Sequence, residues 1–181
     1  QSRSSAASDV YKRQELATTY GVGMTGLGNE AIVVSGTITS AQANTLDGYT
    51  SGVVTATIST TAIGDLDDLT GTGNAYTITV DTVDVTAAAL NTVNDATTVD
   101  VNATAVTKIR GTAADLATTY GGGISGLGTE TIILTDSSLA AATLTPTVNG
   151  YSSITIDATG VTTLTGTNAE IVAAYAADTA N

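Results

Sequence analysis

The chain has 181 residues, 42% of them hydrophobic and only 12% charged, with no Cys, His, Trp or Phe. This composition excludes disulfides, thiolate metal centres and the usual His- or Cys-based catalytic arrangements. The formal net charge is −12, from 17 acidic and five basic residues, which argues against nucleic acid and anionic membrane partners, since both recruit cations. No apolar run approaches the roughly 18 residues of a membrane-spanning helix, and the apolar share is too large for a disordered chain. Ala, Val, Ile, Leu and Thr supply most of the side chains, so the core is expected to be thin, as in stacked layers.

Residues 1–14, QSRSSAASDVYKRQ, hold three of the five basic residues (Arg3, Lys12 and Arg13) and lack the Thr/Ala/Val texture that follows. SAASDVYKRQ resembles translated adaptor sequence, and the segment is expected to be a non-native or disordered tail. From residue 15 onward the sequence repeats itself. ELATTYGVGMTGLGNE (15–30) returns as DLATTYGGGISGLGTE (115–130), 100 residues later. VNATAVTKIRGTAADLATTY (101–120) returns as IDATGVTTLTGTNAEIVAAY (156–175), 55 residues later, and LDGYTSG (46–52) resembles VNGYSSI (148–154).

The matches divide 15–181 into a single stack of approximate coils, 15–30, 31–52, 53–75, 76–98, 99–130, 131–153 and 154–181. Most open on a short β-favouring run: AIVVS (31–35), VVTAT (53–57), YTITV (76–80), TVDV (98–101), TIILT (131–135) and ITI (154–156). Such β-branched runs read as buried strands. Ala/Leu-rich runs with helical spacing follow, among them 86–96, 112–120 and 167–177. Thr86, Thr112 and Thr167 stand where N-caps belong; Asp115 and Glu170 each follow a Thr by three residues, as in a capping box. Gly121 stands at a helix-ending position. Strands recur about every 22–23 residues, which is too short for βαβ units, or about 32 where the glycine link GGGISGLG intervenes. The expected fold is a right-handed α/β solenoid of stacked short parallel strands and short helices, leucine-rich-repeat-like. The alternatives are an all-β solenoid or a tandem antiparallel β-sandwich, should the Ala-rich runs be loops. Neither end carries a cap, so the sequence reads as part of a longer repetitive protein.

The candidate sites are few. GVGMTG (21–26) and GGGISG (121–126) match a dinucleotide-binding pattern, but each follows a helix and leads to a strand, the reverse of the order that chemistry needs. They read as helix stops and links. Asp81, Asn102 and Asp157 each follow a strand run, where Asx side chains bond neighbouring backbone N–H groups. The same three, and the cluster Asp65, Asp67 and Asp68, are the candidates for calcium, the one cofactor left open; calcium requires several convergent oxygens. Thr55, Thr57, Thr77 and Thr79 form Thr-x-Thr pairs of the kind seen on flat ice-binding faces, or simply solvent-facing strand positions. Tyr20, Tyr120 and Tyr175 occupy equivalent positions, suited to packing at a helix end or to stacking on a sugar. No catalytic constellation is visible. A polysaccharide-active site would need basic residues in a cleft, and after the tail only Lys108 and Arg110 remain.

The coils LTGTNAEIVAAY (164–175), AALNTVNDATT (88–98) and GISGLGTETIILTD (123–136) resemble the Thr/Ala/Asp-rich repeats of very large secreted or cell-surface proteins of marine bacteria and cyanobacteria. The resemblance spans about 15–181 and carries no functional residue. It implies an adhesin-like structural module, extracellular or at the cell surface, without catalytic activity. The implied partners are neighbouring repeats of the same chain and cell-surface glycans or other cells. A calcium-stabilised, glycan- or surface-binding solenoid is the alternative.

Overall fold

The computed structural model describes residues 27–144, 148–152 and 155–178. The expected tail at 1–14 and most of the first coil lie outside the described residues. Within them the fold is mixed α/β: eleven short strands and six short helices, joined by parallel pairings alone. That excludes both all-β alternatives, because the Ala-rich runs are helices and no described strand pair is antiparallel.

The first sheet is β1 (Ile32–Ile38), β2 (Val54–Ile58) and β3 (Ala75–Thr77), adjacent in that order. A second joins β4 (Asp84–Thr86), β6 (Lys108–Gly111), β8 (Thr131–Leu134) and β10 (Ile156–Asp157). Two further pairs are β5 (Val101–Asn102) with β7 (Ile124–Ser125), and β9 (Ser138–Ala140) with β11 (Thr163–Thr165). Paired residues lie 20 to 25 positions apart, from Thr37 beside Thr57 to Ser138 beside Thr163. Each strand therefore pairs with the one a single sequence period away. Inward positions alternate with outward ones, as in the buried–exposed pattern of Val54–Ile58, because successive side chains of a strand point to opposite faces.

The helices are α1 (Ser40–Asp47), α2 (Ile63–Leu66), α3 (Ala87–Asp95), α4 (Ala113–Thr119), α5 (Ala141–Leu144) and α6 (Asn168–Asp178), starting every 23 to 28 residues. The three helices expected from spacing fall within a residue of the positions read from sequence. Thr86 and Thr112 accept from the N–H of Ala89 and Asp115 at 3.2 and 3.1 Å. Thr167 and Glu170 form the reciprocal capping bonds. Each cap satisfies backbone donors that the first helical turn leaves open. α1 has its own capping box, Thr39 with Gln42.

A second kind of cap comes from the neighbouring unit. The Ser40 N–H donates to Thr60 Oγ1 (3.2 Å), Ile63 N–H to Thr82 Oγ1 (3.0 Å) and Ala113 N–H to Asp136 Oδ2 (2.8 Å). Helix asparagines make the complementary contact: Asn44 Nδ2 donates to Asp68 O (2.8 Å), and Asn91 Nδ2 to Asp115 O (3.0 Å). Consecutive units are thus held by specific polar bonds as well as by apolar burial. The core is a row of small residues, including Val54, Val80, Leu90, Val101, Ile109, Leu116 and Ile132, all fully buried. Burying one such side chain contributes about 2 kcal/mol.

Three readings are refined. Strands β4, β6, β7, β9 and β11 were not expected, since each is only two to four residues long. Gly121 is not the left-handed residue after α4; Tyr120 ends the helix in right-handed geometry and positive φ begins at Gly122 (136°) and Gly123 (81°). The glycine link is more than a connector. It lays β7 on β5, so 99–130 contains two stacked strands. Gly126 makes this approach feasible: at φ 86° it lies where a Cβ would sit 2.9 Å from the Thr104 backbone, a conformation and a space that suit glycine alone.

Candidate functional site

The most constrained polar constellation is the junction at Glu130, the one fully buried acidic side chain among the described residues. Four residues upstream, Gly126 turns the chain, and Gly128 (φ 120°) folds the backbone around the carboxyl. The N–H of Gly128 donates to Glu130 Oε2 at 2.8 Å and that of Thr129 to the same oxygen at 2.9 Å. The Tyr120 hydroxyl donates to Oε1. The Tyr120 ring lies flat on Tyr151, with centroids 4.6 Å apart and planes 1° from parallel. The Ser152 hydroxyl donates to the Glu130 carbonyl at 2.5 Å. Helix end and glycine link therefore meet on the Glu130 side chain, and the turn of the following unit reaches its backbone carbonyl and the Tyr120 ring.

The copy 100 residues earlier has the same local geometry. Glu30 Oε2 accepts from the N–H of Gly28 (2.8 Å) and Asn29 (3.1 Å), and the Glu30 carbonyl accepts from the Thr50 hydroxyl (2.6 Å). Glu30 is only half-buried. The Gly28 N–H, aided by those of Glu30 and Asn29, holds its carboxyl below the ordinary carboxylate range against the opposing effect of burial. Both glutamates act as local backbone clamps.

The calcium candidates do not converge. Among the described residues no three His, Cys, Asp or Glu side chains are grouped to hold a metal ion. Asp65, Asp67 and Asp68 are exposed around the short α2. Asp81 accepts from the Thr61 hydroxyl at 2.5 Å. Asn102 Oδ1 accepts from the Thr104 N–H and hydroxyl at 3.1 and 2.9 Å, and Asp157 Oδ1 from those of Thr159 at 3.0 and 2.6 Å. Asn102 and Asp157 thus make the Asx turns expected of strand-to-loop corners. The Thr159 hydroxyl, followed by its N–H, lowers the Asp157 pKa.

The two basic residues among the described residues, Lys108 and Arg110, are committed to one partner. Arg110 Nε and Nη2 reach the two carboxyl oxygens of Asp84 at 2.9 and 2.7 Å, and Lys108 Nζ lies 3.4 Å from it. This pairing across β4 and β6 lowers the Asp84 pKa, chiefly through Arg110. It is a solvent-facing cross-strand contact of the kind that supports sheets. The threonine pairs face outward, and register sets Thr37, Thr57 and Thr77 side by side across β1, β2 and β3. Thr79 bridges to Asn102 instead. GGGISG (121–126) runs from a helix end into β7, whereas GVGMTG (21–26), like Tyr20, lies outside the described residues. Tyr175 is 66% exposed, while its copy Tyr120 is packed on Tyr151.

Sequence reasoning missed Glu130. Its signal was the shared Gly-x-Glu at the end of each long match, 28–30 and 128–130. Tyr76 was also missed: its hydroxyl is buried without a partner, and burial, with the nearby Asp47 charge, pushes its pKa up to about 12. No helix among the described residues is long and apolar enough to cross a membrane. No family model, curated protein or solved structure matches the chain.

Proposed function

We propose that this chain is a structural, adhesive repeat module of a large extracellular or cell-surface protein, built as a right-handed solenoid and without catalytic activity. The observation that carries the reading is the linkage between successive units. Strands one period apart pair in parallel, as Ile109 beside Ile132 and Ile132 beside Ile156. The first turns of α1, α2 and α4 are capped from the next unit. An array bonded in this way transmits load along its length and offers a broad, acidic, threonine-lined face, which suits a spacer or adhesive surface. The Glu130 carboxylate, which accepts from Gly128, Thr129 and Tyr120, and the Asn102 side chain, which accepts twice from Thr104, are used in holding turns, which fits a scaffold.

Small-angle scattering and sedimentation on the chain test the architecture: an elongated particle with a thin, constant cross-section is expected, and a sphere-like profile would refute the solenoid. Antibody labelling of intact source cells tests the location. Surface signal without permeabilisation is expected; signal only after permeabilisation would reverse the assignment.

A further inference from the structure

The chain contains one Asn-x-Thr/Ser triplet, Asn102-Ala103-Thr104. That pattern is the acceptor for N-linked glycans, and it serves only where the amide stands at the surface. An exposed carboxylate, Asp100, lies two residues upstream. The stretch therefore also meets the longer acceptor pattern, acid-x-Asn-x-Thr, that bacterial transferases read.

The fold presents this amide in one orientation. Val101 and Ala103 are fully buried, so Asn102 between them points outward from β5. Its backbone is used on the ladder: its N–H donates to Ile78 O at 3.0 Å, and its carbonyl accepts from the Val80 N–H at 2.8 Å. Its Oδ1 accepts from the N–H and the hydroxyl of Thr104, two donors that fix which amide atom faces the chain. Nδ2 is left without a partner among the described residues, and it reaches solvent, since the Tyr76 hydroxyl is the one sealed side-chain polar atom there that lacks a partner. The ladder neighbours on either side, Thr79 and Ser125, are short and exposed. The copy 55 residues later, Asp157-Ala158-Thr159, makes the same turn with the same pair of bonds. A carboxylate therefore serves the turn equally well, and the nitrogen at Asn102 is surplus to it.

We propose that Asn102 Nδ2 is the attachment point of an N-linked glycan, displayed on the outward face of the strands. This rests on the extracellular reading above, because the transferases act on chains that leave the cytoplasm. The donor is an oligosaccharide carried on a lipid pyrophosphate. A bond forms between Nδ2 and the anomeric carbon of the sugar, and the bond from that carbon to the pyrophosphate oxygen breaks. The lipid pyrophosphate leaves with the electron pair, and one Nδ2 proton passes to a base of the transferase. Oδ1 keeps both bonds from Thr104, and the backbone bonds to Ile78 and Val80 are untouched. The native turn and ladder therefore accommodate the glycan without rearrangement.

Secretion of the full chain from insect cells behind an added signal peptide tests the acceptor. One glycan per chain is expected in the intact mass, removed by peptide-N-glycosidase. It is expected to persist in Thr104→Ser and to disappear in Asn102→Asp and Thr104→Val. Asn102→Asp keeps the turn, as Asp157 does in the copy, so circular dichroism of that variant is expected to match the unmodified chain and to exclude misfolding as the cause. A secreted chain without glycan, or a glycan that persists in Asn102→Asp, would overturn the proposal. Mass spectrometry of the protein from its source cells supplies the second arm, with a glycan on the peptide that contains Asn102 as the expected result. A bare Asn102 on protein labelled at the surface of intact cells removes this proposal alone. Protein confined to the cell interior removes the extracellular reading, and this proposal with it.

Discussion

Val101–Tyr120 and Ile156–Tyr175 have one pattern and two fates. Both form two short strands, an Asx turn between them and a Thr-capped helix. The first has the next unit lying across it, and its Ile109 and Leu116 are sealed. The second leaves their counterparts Leu164 and Ile171 only partly buried and exposes Tyr175, whose counterpart Tyr120 stacks on Tyr151. Local structure therefore follows local sequence, while burial, and with it most of the stabilisation, comes from the neighbour. A stacked architecture behaves this way because each unit leaves one apolar face for the next to cover.

The largest expected contrast is Ile109→Ala against Leu164→Ala. The first opens a cavity in a sealed core and is expected to cost about 4 kcal/mol, the second about 1 kcal/mol, read by denaturant unfolding of monomeric protein. Equal losses would break the comparison. Next comes Glu130→Ala against Glu30→Ala. Removing the buried carboxyl strands the N–H groups of Gly128 and Thr129 and the Tyr120 hydroxyl, an expected loss of about 3 kcal/mol. Glu30→Ala, at a half-buried copy where water can replace the carboxyl, is expected to lose clearly less in the same measurement.

A third variant asks whether interior burial is favourable at every atom. Tyr76→Phe removes a buried hydroxyl without a partner, and the melting temperature is expected to rise, by about 1 kcal/mol of stability. A loss would reveal a partner for that hydroxyl. The smallest effect separates the two Asx turns. The folded pKa of Asp157 is lowered by the Thr159 hydroxyl, so its stabilising share is present above the unfolded value and lost as pH falls through the folded one. Asp157→Asn is expected to be slightly less stable than the unmodified chain at neutral pH, with the gap starting to close only below about pH 4 and vanishing once pH has fallen through the lowered folded pKa. Asn102 has no acidic group, so Asn102→Ala should give a deficit independent of pH over the same range.

Much of the local structure was legible because its signals are short-range. Thr-x-x-Asp/Glu marks a helix start wherever it falls, and runs such as TIILT favour strand through their own side chains. The 55- and 100-residue matches disclosed which segments are equivalent. They could not show that Gly123–Gly126 carries a strand, since β7 exists only through its bonds to β5. Nor could they show that Asp136 caps a helix 23 residues earlier, because that contact has no signature in either segment alone.

The sequence by itself determined the strand–helix alternation, the caps, the Asx turns at Asn102 and Asp157, the absence of thiol and imidazole chemistry, and the spacing that lets units pair. Only the tertiary structure decided that Glu130 is buried, that Lys108 and Arg110 converge on Asp84, and that the acidic candidates Asp65, Asp67 and Asp68 are exposed. The reason is range. The Thr N-caps and Asx turns depend on residues within four positions, whereas the caps from a neighbouring unit, burial and ion pairing depend on how the chain is laid against itself roughly one sequence period later.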